Sequence, residues 1–595
     1  MTRIERLLGA RAGEEVELTV DLIVTDDWTT PALRAPLEAL GCERSAAPIV
    51  MVRDHTLSVE SYRGDDRERV ERLRETEAWF VERYGAKLIS GQGIQHHVLP
   101  GSGLLKPGML VLGNDSHTPT LGAYGVAAFA AQPTTIAAAI STGKVVMRVP
   151  ETLHVRVEGA LPVGTSARDA SLTLLGLLRA GGMTPRLATG KALEFNGPGL
   201  AGLSQAERAV LANATPEAVA ATATFPIDDE SGRALGSDWR AYAERPLDAG
   251  AGALLLDLDQ VRPAVARSGQ PSDVVPLEIL AETRVDRVFV GTCAGGTYEE
   301  VRDFTAALAG ARAAVPTIVA PASLQVEGRL RHEGLLLRLA SAGVTLLPPG
   351  CGPCFGFGLG RLADDEVAVV TGNRNTIGRM GSAGAKIHLA SGRTAGVAAR
   401  SGHIGSASHS APRQESPEIP RIVWPQGGNV VRLIGTVSTD DITPSAVPGV
   451  GTSSDPDPAV VRRLLFHHLD ASASTRSLEG TVIVADENFG VGSNRASSVR
   501  ALKIAGVRAV IARSVAPLYA MGARDEGLPV VVLEDDEFFR MVDAGARVEL
   551  VASTGSVLVN GREFGVAAAS AYELDLRAIG GVVPYLQSRL LTEAG

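Results

Sequence analysis

Three cysteines of the chain stand at spacings that could bind a metal or carry redox chemistry. Cys351 and Cys354 form a C-x-x-C motif in GCGPC, and Cys293 lies in GTCAGG. Such thiols could bind zinc with a further ligand, form a thioredoxin-like redox pair, or hold an iron–sulfur cluster. The spacing leaves these possibilities open, together with unligated core thiols. Cys42, after the helix-like LEALG, is predicted to be an ordinary buried thiol.

Polar clusters follow several short β-branched runs. The runs are Ile49–Val52, Met109–Leu112, Val288–Val290, Val344–Leu347 and Val367–Val370. The clusters that follow them are RDH, GNDSH, GTCAGG, PPGCGPC and TGNRN, respectively. Ligands of α/β sheets bind beyond the carboxyl ends of the strands, so these clusters predict one shared site.

A glycine-rich loop in the C-terminal part could bind an anion. Val482–Ala485 is predicted to be a strand, DENFGVGSNR follows it, and ASSVRALKIAG then predicts a helix. Ser493, Asn494 and Arg495 would lie near the N-terminus of that helix, where backbone N–H groups and the helix dipole attract negative charge. A helix N-cap is the alternative role for Ser493.

Composition excludes several classes of protein. The chain has 595 residues, which predicts about three to five domains. Its net charge of −10 argues against nucleic-acid binding, and four cysteines are too few for a disulfide scaffold. The start of the chain lacks the apolar core of a signal peptide, and the uncharged stretch 118–143 is rich in Ala, Gly and Thr rather than in membrane residues. We therefore expect a cytoplasmic protein that does not enter a membrane.

The alternation of β-branched runs with helical stretches predicts an α/β fold. A segment rich in Ser, Pro and Gly at about 401–420 is the clearest linker. These features predict an α/β core over residues 1–400, a linker over 401–428 and a C-terminal domain over 429–595.

A set of motifs in this order resembles one family of enzymes. The motifs are RDH at 53–55, GQGIQHHVLP at 91–100, GNDSHTPTLG at 113–122, FNGPGLAGLSQAERAVLANATPEAVAATATFP at 195–226, GTCAGGTYEE at 291–300, GCGPC at 350–354, GNRNTIGR at 372–379, STDDITP at 438–444 and DENFGVGSNR at 486–495. The chain thereby resembles the aconitase superfamily nearly from end to end, and is most similar to its bacterial single-chain members.

The resemblance implies an α/β core of three domains and a C-terminal swivel domain that closes over a cleft. It implies a [4Fe–4S] cluster on Cys293, Cys351 and Cys354, with one iron left open to act as a Lewis acid. The implied reaction is reversible loss and gain of water at a hydroxy-di- or tricarboxylic acid. A monomer with a small-molecule substrate is expected.

The resemblance also implies roles for individual residues. Ser493 corresponds to the catalytic base, which removes a proton beside a carboxylate. Three imidazole–carboxylate pairs, suited to proton transfer, are Asp54 with His55, Asp115 with His96, and Glu217 with His117. The residues that correspond to positions at the substrate or beside the cluster are Arg374, Arg379, Arg495, Ser116, Asn494, Asn213, Asn373 and Asp440. His97, adjacent to His96, corresponds to no functional position of the family.

Departures from the family pattern put the substrate in question. Pro31, Gly295 and Asp441 replace a Gln, an Asn and a His of aconitases, and the second serine of the GSSR-like motif is Asn494. The loop after STDDITP has no arginine before Arg462, although citrate's third carboxylate would need one. An unpaired buried carboxylate is costly, so this loss can change specificity greatly.

The sequence therefore predicts an aconitase-type hydro-lyase or isomerase acting on a citrate/isocitrate-like acid, or on a citrate or malate analogue in specialised metabolism. Isomerisation of 3-isopropylmalate or homoaconitate is the alternative substrate reading. A second alternative is a protein of another functional class, a non-catalytic member that binds a ligand or RNA. The presence of the three cysteines and Ser493 argues against this alternative.

Overall fold

A computed structural model of the chain describes residues 1–179, 187–235, 253–405, 420–443, 457–467, 469–492, 496–542, 545–551 and 555–593. The described part consists of mainly parallel sheets with helices between their strands, so the predicted α/β class is confirmed. Its helices are α1 (Arg3–Leu8), α2 (Arg34–Ala39), α3 (Gly64–Tyr84), α4 (Gln95–Val98), α5 (Pro133–Thr142), α6 (Ala167–Leu177), α7 (Gln205–Ala212), α8 (Asp229–Leu235), α9 (Thr292–Gly295), α10 (Tyr298–Leu308), α11 (Leu324–His332), α12 (Leu335–Ser341), α13 (Gly392–Ser401), α14 (Thr439–Ile442), α15 (Pro458–Leu464), α16 (Ala496–Ile504), α17 (Pro517–Asp525), α18 (Asp536–Met541), α19 (Ala571–Ile579) and α20 (Val582–Glu593).

The strands of the described residues form six sheets. In chain order they are β1 (Glu15–Thr19), β2 (Leu22–Asp26), β3 (Ile49–Arg53), β4 (Lys87–Ser90), β5 (Leu110–Gly113), β6 (Ala127–Ala130), β7 (Lys144–Arg148), β8 (Thr152–Glu158), β9 (Ala192–Asn196), β10 (Thr222–Thr224), β11 (Leu254–Asp257), β12 (Ala264–Ala266), β13 (Val274–Pro276), β14 (Arg287–Val290), β15 (Thr317–Val319), β16 (Thr345–Leu346), β17 (Val367–Val370), β18 (Lys386–Leu389), β19 (Arg421–Val423), β20 (Val430–Ile434), β21 (Val482–Ala485), β22 (Ala509–Ala512), β23 (Val530–Val532), β24 (Val548–Val551), β25 (Ser556–Val559) and β26 (Arg562–Gly565).

The first large sheet is parallel, with the order β4-β3-β2-β5-β6. Side chains alternate along its strands, so that Val24 and Val50 enter one apolar cluster while Ile23 and Ile49 enter another on the opposite face. Both faces are thus covered, as is usual for parallel sheets. The carboxyl ends of β2, β3 and β5 consequently lie side by side at one edge, where the polar motifs begin.

Three further sheets occur in the described residues before residue 405, and the smallest is an antiparallel pair of β1 and β7. Four parallel strands have the order β10-β9-β8-β11, and seven strands have the order β13-β12-β18-β17-β14-β15-β16. In the larger sheet β18, β17, β14, β15 and β16 run parallel, and the cysteine motifs follow β14 and β16. The predicted strands at 288–290, 344–347 and 367–370 therefore belong to this one sheet.

The C-terminal part contains a mainly parallel sheet, β19-β20-β21-β22-β23, and an antiparallel meander of β24, β25 and β26. The predicted strand at 482–485 is β21, and the predicted helix that follows corresponds to α16. Strand β19 lies inside the segment predicted as a linker and pairs with β20. Residues 406–419 of that segment lie outside the described part, and the domain boundaries stay a prediction.

The C-terminal part contacts the first sheet's helices. Gln132 before α5 donates to the Leu518 carbonyl in α17 at 3.1 Å, and Thr135 donates to Asp525. Thr189 donates to the Asn488 side-chain oxygen at 2.8 Å. Among the described residues no helix has the length and apolarity needed to cross a membrane.

Candidate active site

The carboxyl end of β3 supplies a histidine–carboxylate pair. Asp54 and His55 follow β3, and His55 Nδ1 lies 2.7 Å from Asp54 Oδ1. The other Asp54 oxygen accepts a hydrogen bond from the Gln95 N–H at 2.9 Å. Burial opposes a charged imidazole, yet Asp26 and Asp54 raise the pKa of His55 well above its ordinary value. His55 is therefore held in the protonated form, as a proton donor requires.

Two carboxylates that the sequence analysis did not single out lie beside this pair. The Oδ1 atoms of Asp26 and Asp27 are 3.7 and 4.0 Å from His55 Nδ1. Asp27 also accepts hydrogen bonds from the N–H groups of Asp54 and His55 and so fixes their backbone. Burial raises the pKa of Asp26 to about 7, while His55 acts in the opposite direction. The sequence signal that could have identified them is the pair of aspartates that ends the apolar run LIV, in LIVTDD.

The second predicted pair connects two loops of the first sheet. His96, in α4, has its Nε2 3.1 Å from Asp115 Oδ1, after β5. Asp115 also accepts a hydrogen bond from the His117 N–H at 2.6 Å, and its Oδ2 is 3.9 Å from His55 Nε2. Burial would raise the pKa of Asp115, but the hydrogen bond and charge of His96 lower it. Asp115 is thus a carboxylate that lies between two of the predicted proton donors.

The third predicted pair includes an arginine. His117 Nε2 lies 3.2 Å from Glu217 Oε1, and Arg374 Nε lies 3.0 Å from the same oxygen. Arg374 also donates to Ser116 Oγ at 3.0 Å. Burial lowers the pKa of His117, although Glu217 acts to raise it. Burial acts to raise the pKa of Glu217, but His117 and Arg374 lower it overall. Four predicted site residues thus form one buried network.

The three predicted ligand thiols lie next to these pairs. Cys293 is in α9, after β14, and its Sγ accepts a hydrogen bond from Asn373 Nδ2 at 3.0 Å. Its thiol also lies 3.5 Å from Asn213 Oδ1. The Cys351 N–H donates to the Asp54 carbonyl at 2.9 Å, which joins the C-x-x-C loop to the first pair. Burial raises the pKa of Cys293 and Cys351, and each of these thiols is further affected by the charge of Cys354.

The donor set and its backbone fit an iron–sulfur cluster. All four cysteines are free thiols, so Cys351 and Cys354 do not form a redox disulfide here. A Cβ on Gly295 would meet Thr371 Oγ1 at 1.9 Å, so the chain closes around the Cys293 loop where only glycine fits. The pKa of the Cys293 and Cys351 thiols is raised by burial and further by the charge of Cys354, so a bound cationic metal centre would relieve the cost of ionising these two thiols. Cys42 packs in the core of the first sheet and donates to the Arg44 carbonyl.

Arg379 lies beside one of the thiols and is affected by the charge of Asp440 from the C-terminal part. Arg379 Nη2 lies 3.6 Å from Cys354 Sγ. Burial would lower the pKa of Arg379, but Cys354 and the C-terminal Asp440 raise it. Asp440 is buried in α14. Its neighbour Asp441 forms a capping box with Ser438, which is a structural reason for an aspartate at that position.

A cavity of about 520 Å³ lies between the core and the C-terminal part. Glu217 and Arg374 line its core wall, and Ser438, Asn488 and Gly492 line the facing wall. The predicted residues Ser493, Asn494 and Arg495 lie outside the described residues. Gly492 before them lines the cavity, and α16 begins directly after them.

Comparisons with known proteins identify the family of the chain. The model of the aconitase family (aconitate hydratase) matches residues 9–283 and 278–402, and the aconitase C-terminal domain model matches residues 465–535. The 3-isopropylmalate dehydratase large subunit of Pyrococcus horikoshii is 37% identical over 68% of this chain and 99% of its own length. The homoaconitase large subunit of Thermus thermophilus is 36% identical over 66% of this chain and 93% of its own length.

A solved 3-isopropylmalate dehydratase from Methanocaldococcus jannaschii also matches, with 30% identity over 28% of this chain and 96% of that chain, and a TM-score of 0.25. The family model covers well over half of the chain, and the two relatives exceed 30% identity over nearly all of their own length. The chain therefore belongs to the aconitase family and is a hydro-lyase.

Proposed function

We propose that this hydro-lyase contains a [4Fe–4S] cluster and reversibly dehydrates a hydroxy acid with at least two carboxylates, of the class to which 3-isopropylmalate and the hydrated forms of homoaconitate belong. The observation that carries the proposal is the convergence of three imidazole–carboxylate pairs, two arginines and three thiols in one region. When bound on Cys293, Cys351 and Cys354, the cluster would supply an open iron that polarises the leaving hydroxyl.

The arginines explain why the substrate should be a carboxylic acid. The guanidinium of Arg374 lines the cavity, and that of Arg379 lies beside the thiols. A guanidinium donates paired, parallel hydrogen bonds to a carboxylate, and such bonds are strongest where water is excluded. Arg374 is only 4% exposed at its side chain, and it is held by Glu217 and Ser116. A substrate carboxylate would therefore meet a preorganised cation.

The imidazole pairs supply proton transfer. His55 is held protonated by the carboxylates around it, and a protonated imidazole can give its proton to a leaving hydroxyl. His96 and His117 are each in contact with a carboxylate that fixes the ring orientation. Ser493, in the C-terminal part of the chain, is proposed as the base that takes the proton beside the substrate carboxylate.

The substrate class is supported by the names of the relatives and by the C-terminal loop. The relatives are named 3-isopropylmalate dehydratase and homoaconitase, and these substrates differ from citrate in the third substituent. The loop after STDDITP lacks an arginine, which fits the uncharged isopropyl substituent of 3-isopropylmalate better than the third carboxylate of citrate or homoaconitate. Citrate is the second candidate, since the matched family is described as aconitate hydratase and its C-terminal domain model also matches.

The chain is also proposed to act as a monomer. The two relatives are named large subunits and match about two thirds of this chain, whereas this chain continues into a part that matches the aconitase C-terminal domain. One polypeptide would thus supply both walls of the cleft. Light scattering after gel filtration tests this, because a single species of about 62 kDa is expected from the mass of 61.9 kDa.

The function is tested by turnover of candidate acids. Protein reconstituted anaerobically with iron and sulfide is incubated with 3-isopropylmalate, homoaconitate or citrate, and proton NMR follows loss and gain of water. Turnover of one of the first two in preference to citrate is expected; ordinary turnover of citrate alone would contradict the substrate class. Ser493→Ala should abolish turnover and leave the broad absorption near 400 nm intact. The control is Ser472→Ala, at an exposed serine of the C-terminal part, which should change neither turnover nor absorption.

A further inference from the structure

Three consecutive residues of α4 contact three separate parts of the site. The Gln95 N–H donates to Asp54, His96 contacts Asp115, and His97 Nε2 lies 2.8 Å from the carbonyl oxygen of Cys293. The first two contacts belong to the proton-transfer pairs described above. The third joins the same short turn to the loop of a thiol, and the function proposed above does not use it.

The proton of His97 must lie on the nitrogen that faces this carbonyl. His97 Nε2 and this carbonyl oxygen are 2.8 Å apart, which is hydrogen-bond distance. A carbonyl oxygen can only accept a hydrogen bond, so the Nε2–H donates to Cys293. The contact is thus a well-defined hydrogen bond to the backbone of the thiol residue.

The loop that receives this hydrogen bond is strained. Thr292, directly before Cys293, has φ +74°, a left-handed conformation that is a clear outlier for a β-branched residue. Thr371 Oγ1 accepts a hydrogen bond from the Gly291 N–H at 3.0 Å on one side of the loop. A strained backbone persists only where its surroundings fix it, and His97 holds the loop from another element.

The turn that carries His97 is itself joined to the sheet of Cys293. Gly93 and Ser323 form an antiparallel bridge, and the Ile94 N–H donates to the Ala322 carbonyl at 2.8 Å. The Ala322 N–H in turn donates to the carbonyl of Gly296, which ends the Cys293 loop. A Cβ on Gly93 would lie 2.3 Å from the Ala322 oxygen, so the two segments approach as closely as glycine allows. The turn and the thiol loop therefore form one connected unit.

We propose that His97 is a positioning residue, which holds the Cys293 loop by its carbonyl and keeps that thiol in register with the His96–Asp115 pair. This inference rests on the proposed function in one respect, that Cys293 is a cluster ligand. His97 acts on the backbone of Cys293, at its carbonyl oxygen. Its effect passes through Cys293, so it should alter how firmly that thiol is held.

The test compares two substitutions of His97 with a control on the same turn. His97→Gln keeps an N–H donor at similar reach, and His97→Leu removes it. Gln95→Met is the control: the Gln95 side-chain amide is buried and has no hydrogen-bond partner among the described residues, while its backbone N–H is retained in the variant. Circular dichroism first establishes that each variant is folded.

Two readouts other than activity are measured. In cluster-free protein, mass spectrometry follows alkylation of Cys293 by iodoacetamide relative to Cys351. In reconstituted protein, the absorption near 400 nm is followed during anaerobic exposure to an iron chelator. Losing one buried hydrogen bond changes a local opening equilibrium roughly three- to ten-fold. We expect His97→Leu to accelerate both Cys293 alkylation and cluster loss by this factor, with His97→Gln and Gln95→Met close to the parent.

The outcomes separate this inference from the proposed function. If the parent holds a cluster but His97→Leu changes neither rate, the positioning role is wrong and the proposed function stands. If Gln95→Met accelerates both rates as much as His97→Leu, the effect belongs to the turn as a whole and the assignment to His97 is overturned. If the parent never binds iron but His97→Leu still exposes Cys293 selectively, the proposed cofactor is wrong and the backbone contact is supported.

Discussion

The buried contact between Glu217 and Arg374 gives a quantitative test of the site's electrostatics. Arg374 Nε lies 3.0 Å from Glu217 Oε1, with the side chains 4% and 2% exposed. Arg34 and Glu38 form a pair of nearly the same geometry on the surface, with Nε and Oε1 2.9 Å apart and side chains 50% and 54% exposed. Glu217→Gln and Glu38→Gln therefore remove the same charge from the same contact at opposite extremes of burial.

The two substitutions should cost different amounts of free energy, because water can solvate the exposed Arg34 but not the buried Arg374. Removing one partner of a buried ion pair costs about 3–5 kcal/mol, since the other charge stays buried without compensation. Glutamine keeps an acceptor oxygen near Arg374 and His117, so we expect about 3 kcal/mol for Glu217→Gln. An exposed i,i+4 pair contributes about 0.5 kcal/mol or less. In a local opening equilibrium the first value corresponds to a change on the order of 100-fold, and the second to about two-fold.

Native-state hydrogen exchange of the cluster-free protein measures these local equilibria without requiring the whole chain to unfold in one step. Peptides that cover α7 and residues 213–222 report on Glu217, and peptides that cover α2 report on Glu38. We expect a large loss of protection only around Glu217. If the two substitutions alter protection in their own regions equally, Arg374 is solvated and the buried network described above is wrong.

Three further predictions follow from buried or strained residues. Burial raises the pKa of Glu300 from 4.5 to about 7. Because the unfolded chain ionises this carboxyl at lower pH than the folded protein does, the folded protein should lose about 3 kcal/mol of stability as the pH rises between these values. The melting temperature should therefore fall less steeply from pH 4.5 to 8 in Glu300→Gln than in the parent, and parallel curves would contradict this. Val219 is buried with φ +57°, a backbone conformation that costs an L side chain about 1–2 kcal/mol and costs glycine little. Thermal unfolding should therefore show Val219→Ala to be at least as destabilising as Val219→Gly. A glycine variant that is clearly less stable than the alanine variant would argue against strain. Iron analysis after reconstitution should show full loading in Cys42→Ala and loss in Cys351→Ala; equal loss in both would make Cys42 a ligand.

Much of the site follows from the sequence because strand ends are visible as patterns. The clusters after β3, β5, β14 and β17 were each marked by an apolar run that stops at polar residues, and the parallel arrangement brings such ends to one edge. Asp54 and His55 were found in this way, and their contact needs only adjacency in sequence.

Other features depend on which strands and sheets become neighbours, which no local pattern encodes. Asp26 lies at a strand end of the same kind, but its place beside His55 requires β2 and β3 to be neighbours. The hydrogen bond from His97 to Cys293 joins residues 196 positions apart, in α4 and α9, and these helices follow strands of different sheets. His97 was passed over because a histidine next to a predicted proton donor has no sequence signal of its own.

The distribution of charge between the two walls of the cleft indicates how the work of the site is divided. Arg374 and Arg379, the described arginines of the predicted binding set, come from the core, together with the three imidazole pairs and the thiols. The described C-terminal residues of that region contribute the carboxylates Asp440 and Asp441, and Asp441 is already engaged in a helix cap. Among the described residues, the cations that could attract a substrate carboxylate therefore come from the core; the third predicted arginine, Arg495, belongs to the C-terminal part and lies outside them. Changes in the C-terminal wall should then alter which substituent fits, while the proton-transfer groups of the core keep their contacts.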